Sequence, residues 1–204
     1  MKKRVKINGI FLFLFTVIFL SFHKFFSGHW KYEFLDEILD SLKWLGLDWD
    51  GELTLQSKRL DIYRKFAKQL LDKGLAYEAE GEIRGKDGSV IKDSKRIIQK
   101  AIIFKMPQGE TVTINDLVHG PIQIETSTIK DQVAIKSDGF PAFNFACTVD
   151  DIEMGITHVI RGDDHISNTP KQILFYEALG FKPPEFGHLP LILGTEGGRL
   201  SKRT

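Results

Sequence analysis

The sequence has a single cysteine, Cys147, in 204 residues. That excludes an internal disulfide and any multi-thiolate zinc site, and it fits a reducing compartment. A charge excess is also lacking, since 28 Lys and Arg stand against 27 Asp and Glu. The near balance hides an asymmetry. The first 35 residues carry six basic side chains and one acidic, which leaves 22 basic against 26 acidic groups over residues 36–204. A body of net negative charge is not an indiscriminate nucleic-acid binder, so any nucleic-acid contact must be local. A polytopic membrane protein is excluded by the mean hydropathy of −0.14. With 42% hydrophobic, 11% aromatic and 27% charged residues, neither disorder nor a low-complexity architecture fits. The length suits one large domain.

Residues 1–32 do not match the remainder. A basic opening, Met-Lys-Lys-Arg-Val-Lys, precedes an uncharged, mostly apolar run over residues 10–22. As a helix this run spans about 20 Å, short of a hydrocarbon core of about 30 Å. The pattern is that of a signal peptide, yet no small-x-small cleavage site follows, because Ser27-Gly28 sits behind Phe25-Phe26. Seven of the sixteen residues 11–26 are Phe, which argues against a core element. A targeting or anchoring segment and a spurious N-terminus, from a wrong start or a shifted frame, remain as readings. The second is expected, and membrane association is expected only if residues 10–22 are a genuine anchor.

From residue 33 the patterning is regular. Leu35, Ile38, Leu39, Leu42 and Leu45 share a helical face, with Gly46 at the stop. Ser57 is placed to cap a second helix carrying Leu60, Tyr63, Phe66, Ala67, Leu70 and Leu71, ended by Gly74. Residues 81–99 read as a polar loop or hairpin tip. Short alternating segments at 101–105, 111–118, 121–124 and 132–136, separated by Gly- and Pro-containing breaks, predict a small antiparallel β insertion. Residues 142–149 are ambiguous between helix and strand. An apolar strand at 156–160 is followed by a polar loop at 161–168. Thr169 is then placed as N-cap, with Pro170 at the first helical position, of a helix ending at Gly180. A further strand is expected at 188–193. Strand, helix, strand in this order implies a parallel sheet with a crossover helix, whose ligands gather at the carboxyl ends of the strands. Two polar loops, 161–168 and 194–203, leave that end.

Three constellations on or near those loops can carry chemistry. Arg161-Gly162-Asp163-Asp164-His165 offers a forked cation beside a helix start, suited to a carboxylate or phosphate. The bland alternative is a local Arg–Asp pair on a solvated loop. Arg199-Leu200-Ser201-Lys202-Arg203, preceded by Gly194, Gly197 and Gly198, can close over a polyphosphate, or can be a basic, frayed chain end. Asp150, Asp151, Glu153, His158, Asp163, Asp164 and His165 form an acidic stretch that a metal-dependent phosphohydrolase would use. Without ligand periodicity, a helix cap plus surface charges explains most of it, and no metal site is expected.

Taken together these segments resemble bacterial glutamyl-tRNA synthetases. The carriers are residues 41–50 (similar to "LxWLGLDWDE"), Asp116-Leu117-Val118-His119-Gly120, residues 136–139 and 144–151, the run 156–172, residues 188–193, and Arg199 to Arg203. The last is similar to the "KLSKR" form of the class I KMSKS loop. The resemblance covers residues 33–204 in order. It implies an α/β, Rossmann-like class I synthetase catalytic domain, incomplete at its N-terminus, with a small antiparallel β insertion. Residues 33–74 would be its helical part, 75–137 the connective insertion on the tRNA acceptor-stem side, and 138–204 the second half of the nucleotide fold. The implied reaction activates glutamate with ATP to glutamyl-adenylate and transfers it to tRNA(Glu). Carried over by position, Arg161 would read the glutamate carboxylate, with Phe143 in the same site. Asp164 and His165 would line the ATP pocket, and Arg199, Leu200, Ser201 and Arg203 would shape the loop from which Lys202, the catalytic lysine, holds the phosphates. ATP with Mg2+, no zinc, a cytoplasmic location and a monomer are expected.

The departures from the pattern have consequences. The family's "PTY" stands as Pro141-Ala142-Phe143, losing a substrate-binding hydroxyl, and "DLVRG" has His119 in place of its arginine. No "HIGH" motif or "RxEDTD" region is present upstream, and nothing follows the KMSKS-like loop beyond Thr204. Little activation activity is therefore expected of these 204 residues alone. A paralogue that glutamylates a tRNA base, or a membrane-tethered non-catalytic tRNA-binding module, are the rival readings.

Overall fold

The computed structural model describes residues 33–46, 54–80 and 100–191. The leucine-faced segment forms α1 (Glu33–Trp44), and the next periodic stretch forms α2 (Leu60–Asp72). Helix α2 buries Tyr63, Phe66, Ala67 and Leu70, the i, i+3, i+4, i+7 stripe of a 3.6-residue period. Gly74, at a φ of 70°, ends it. The chain reverses there so that Leu75 N–H donates to the Leu70 carbonyl and Gly74 N–H to that of Leu71, satisfying two terminal acceptors. Ser57, however, does not cap α2. It lies in a single 3-10 turn, Gln56–Lys58, and Arg59 takes the cap position without a side-chain bond to the helix's own N–H groups. Gln56 and Arg59 both reach for Asp150, and that distant carboxylate, not Ser57, sets the entry to the helix.

The alternating segments become antiparallel strands, but in two sheets. Strands β1 (Ala76–Ala79), β2 (Ala101–Phe104) and β5 (Gln132–Ile135) pair in the order β1-β2-β5. Strands β3 (Thr111–Asp116) and β4 (Gly120–Glu125) form a hairpin. The sequence reading does not anticipate β1, because Ala-Tyr-Glu-Ala carries too little alternation to announce it. In β3 the period-two rule holds: Val112, Ile114 and Asp116 are buried while the residues between face out. An acid thus takes the third inward position. The loop expected at 81–99 lies outside the described residues.

Residues 143–149 are helical, within α3 (Phe143–Met154), and Ala142 is the extended residue before it. Strands β6 (His158–Gly162) and β7 (Glu185–Leu189) run parallel, joined through α4 (Thr169–Leu179), which is the crossover the pattern implies. Both strands sit earlier or later than expected. Ile156 is spent on closing α3, its N–H donating to the Asp151 carbonyl, so pairing begins only at His158. Pro190 has no N–H for the ladder and stops β7 at Leu189. Arg161 consequently lies inside β6 and is buried, not on a solvated loop.

Helices α2, α3 and α4 share one apolar core with the strands, where Phe175 stacks at 4.7 Å on Phe104 and tilts at 5.2 Å against Phe145. The β3–β4 hairpin docks on β7 through Leu117 N–H to the Phe186 carbonyl, 2.8 Å. Gly187 permits that approach, since a Cβ there would stand 2.9 Å from Ile160 Cδ1 and 3.4 Å from Leu117 Cβ. Among the described residues no helix is long and apolar enough to cross a membrane.

Candidate functional site

Four elements bring polar side chains together at the carboxyl end of the parallel pair. Arg161 is the next-to-last residue of β6, directly opposite His188 in β7. Its Nε donates to His188 Nε2 at 3.2 Å, and its Nη2 donates to Thr169 Oγ1 at 2.6 Å and more weakly to the His165 carbonyl at 3.4 Å. These three acceptors are neutral. Burial pushes the guanidinium's proton affinity down, against the opposing pull of Cys147, Asp151, Tyr176 and Asp164, yet an arginine stays charged, so the cation's own hydrogen bonds go to dipoles. The ring of Phe186 lies beneath it, 5.5 Å away.

His188 is fully buried, and its Nδ1 donates to Asp116 Oδ2 at 2.6 Å. Asp116 Oδ1 accepts the backbone N–H groups of Val118, His119 and His188 at 2.9, 3.0 and 3.2 Å. Burial alone would raise this carboxyl. The N–H groups and the imidazole outweigh it and hold the carboxyl down at about 2. Burial lowers the His188 ring's proton affinity, and the nearby Arg161 charge works in the same direction against the pull of Asp116. The pair is therefore a neutral imidazole on a carboxylate. Thr169 completes the knot, its hydroxyl 3.0 Å from His188 Nε2.

The loop expected at 161–168 is a 3-10 turn, Asp163–Asn168, running straight into α4. Thr169 is thus already helical and does not N-cap α4, and its hydroxyl serves Arg161 and His188. Helix α4 likewise presents no separate N-terminus to an anion. Asp164 sits in the first turn of this segment, exposed. The His165 ring accepts from Asn168 Nδ2 at 3.2 Å and lies 5.9 Å from the Phe143 ring at the start of α3. His119, where the family has arginine, donates from Nε2 to Asp163 Oδ1 at 2.8 Å, and this bond raises its proton affinity. The hairpin is thereby latched to the turn after β6.

The adjacent acids of α3 are not the surface charges or the cap expected of them. Asp150 is buried and accepts from Gln56 Nε2, Arg59 Nε and Tyr63 Oη at 2.7–2.9 Å. Asp151 accepts from Tyr176 Oη at 3.2 Å. Burial raises its carboxyl to about 7, with Asp150 pushing the same way and Tyr176 and Arg161 opposing. The unfolded carboxyl titrates near 3.9. Between those values the unfolded chain has released a proton that the folded chain keeps, so this group's contribution to stability falls as pH rises from about 4 to about 7. Asp151→Asn is accordingly expected to gain stability over the parent at pH 8 and little at pH 4.5, by urea unfolding at both. A gain that does not change with pH would contradict this account.

Among the described residues no three His, Cys, Asp or Glu side chains are grouped to hold a metal. Asp150 and Asp163 are paired with Arg59 and His119.

Of the residues singled out from the sequence, the structure brings Arg161, His165 and Phe143 together and sets Asp164 beside them. Arg199, Leu200, Ser201, Lys202 and Arg203 lie outside the described residues. Sequence reasoning missed the roles of Asp116, His188 and Thr169. A weak signal existed, in that Asp116 and His188 are ionisable residues placed within or just after runs of strand-forming residues.

The model of the family described as "tRNA synthetases class I (E and Q), catalytic domain" matches residues 29–84 and 86–204. A glutamate–tRNA ligase of Thermodesulfovibrio yellowstonii is 47% identical over 189 residues, covering 84% of this chain and 40% of that protein. That of Aquifex aeolicus is 47% identical over 197 residues, covering 85% and 41%. Among solved structures, the glutamate-tRNA synthetase of Elizabethkingia anophelis superposes with a TM-score of 0.72 at 31% identity, covering 87% of this chain and 44% of that one. A glutamate tRNA ligase from Elizabethkingia meningosepticum, in complex with its amino acid, gives 0.70 at 32%, covering 82% and 41%. The chain spans about two fifths of the length of the curated relatives it matches. With its parallel pair, its antiparallel insertion and Arg161 at the strand end, this chain belongs to the class I tRNA synthetases of the E and Q family, in their catalytic domain.

Proposed function

We propose that this chain works as the catalytic domain of a glutamate–tRNA ligase, which joins glutamate and ATP into glutamyl-adenylate and passes the glutamyl group to tRNA(Glu). The observation that carries the reading is Arg161, a buried cation at the carboxyl end of β6 whose hydrogen-bond acceptors are neutral. An anionic carboxylate gives such a group the charge partner it lacks in that set. The amide of glutamine would leave it unpaired, and a site built for a charged partner discriminates strongly against an analogue without one. Phe143 packs beside the site through His165, and Asp164 and His165 face the nucleotide. Lys202, with Arg199, Leu200, Ser201 and Arg203, holds the phosphates, neutralising charge that develops during attack. Mg2+ enters with the ATP phosphates, as it does where few protein ligands are supplied. The setting is the cytoplasm and the working unit a monomer.

Calorimetric titration of the 204-residue chain with glutamate and with glutamine tests the reading. Glutamate is expected to bind at least about tenfold more tightly, the factor that about 1.4 kcal/mol confers. Equal affinities, or no glutamate binding, would overturn it.

A further inference from the structure

Arg161 is oriented by a chain of directional bonds that begins on another part of the fold. Asp116 sits at the end of β3, 72 residues before His188, and its carboxylate is fully subscribed. One oxygen takes three backbone N–H groups from the hairpin turn and from β7. The other faces the His188 ring. A carboxylate can only accept, so Nδ1 must carry the ring proton, and a neutral ring then has a bare Nε2. That lone pair is what Arg161 Nε and the Thr169 hydroxyl meet. The ring is 0% exposed, so bulk solvent does not compete for either contact.

We propose that Asp116 and His188 are positioning residues for amino-acid recognition: the hairpin carboxylate selects the His188 tautomer, and that tautomer fixes the plane in which Arg161 presents its guanidinium to the substrate carboxylate. The proposal rests on the glutamate reading above. It makes the β3–β4 hairpin, part of the antiparallel insertion, a component of amino-acid specificity. A bond partner matters here by its donor or acceptor character, whereas a merely structural role would be indifferent to it.

Three variants and one spectroscopic signature separate these. In Asp116→Asn, if the amide oxygen keeps the three N–H groups, its NH2 faces Nδ1 and drives the ring proton to Nε2, where it opposes the Arg161 N–H. His188→Asn places a polar group near Asp116 but none at Arg161. His188→Gln is long enough to set a carbonyl oxygen where Nε2 was. Asp116→Asn and His188→Asn are expected to weaken glutamate binding about tenfold or more, and His188→Gln to recover much of that loss, by the worth of a hydrogen bond to a charged group. Nitrogen-15 spectra of the parent chain are expected to show His188 protonated at Nδ1 and bare at Nε2, a readout that needs no variant to fold. A parent ring protonated at Nε2, or glutamate affinities alike for the parent, His188→Asn and His188→Gln, would overturn the positioning role while leaving glutamate binding intact. A parent chain that binds no glutamate overturns the functional reading, and this proposal with it.

Discussion

Replacing Arg161 with alanine is expected to reduce glutamate affinity by two to three orders of magnitude. Truncating one partner of a buried, hydrogen-bonded charge pair costs about 2–5 kcal/mol, and each 1.4 kcal/mol is a factor of about ten. The loss has two sources. The substrate carboxylate loses its cation, and His188 Nε2 and Thr169 Oγ1 lose their donors, so the site relaxes. Arg161→Lys separates them. It keeps the positive charge but cannot fork to Thr169, His188 and a carboxylate at once, so an intermediate loss is expected. Calorimetry with glutamate measures both variants, and far-ultraviolet circular dichroism on the same samples distinguishes a folded non-binder from an unfolded chain. Affinity in folded Arg161→Ala within threefold of the parent would remove Arg161 from recognition.

The largest expected loss of stability is elsewhere, at Asp150. This carboxylate in α3 gathers Gln56, Arg59 and Tyr63 and ties the start of α2 to the core. Burial raises its proton affinity even against those three donors and the Arg59 charge, so the ionised cluster is no large net source of stability. Breaking it is another matter. Asp150→Ala strands a guanidinium whose Nη2 already has no partner, together with a buried phenol. Removing one member of a buried pair costs about 3–5 kcal/mol. In a chain of this size each kcal/mol moves the melting temperature by about 2–4 °C, so a fall of about 6–20 °C is expected by calorimetric melting. Adding Arg59→Met to Asp150→Ala removes the stranded charge and is expected to recover part of the loss. If the double variant melts lower still, the stranded cation is not the cause.

How much of this was legible from the sequence depended on the range over which each feature is encoded. The helical stripe of Tyr63, Phe66, Ala67 and Leu70 and its stop at Gly74 are written within fifteen consecutive residues, and both appear where the pattern puts them. The alternation of Val112 and Ile114, and the order of strand, helix and strand around α4, are equally local. Strand ends were less legible, because Pro190 and the closure of α3 act at positions where apolar runs continue. The family motifs likewise marked Arg161, Phe143, Asp164 and His165 residue by residue, while the loop carrying Lys202 lies outside the described residues.

Capping was misread for a different reason. Ser57 and Thr169 are good caps by residue type, but their neighbourhoods hold stronger claims. Gln56 and Arg59 answer to Asp150, and the Thr169 hydroxyl answers to Arg161 and His188. Local propensities are worth about 1 kcal/mol, and a buried charge left without partners costs more, so the distant interaction decides.

The amino-acid sequence by itself determined most of the element types, though not β1 or α3, together with the parallel crossover and the family, because periodicity, glycine stops and motif order are properties of neighbours along the chain. Only the tertiary structure decided that Asp116, His188, Arg161 and Thr169 form one buried circuit. The imidazole and the hydroxyl can each donate or accept, and their roles become definite only when closure of the fold sets His188 and Thr169 between a carboxylate that only accepts and a guanidinium that only donates.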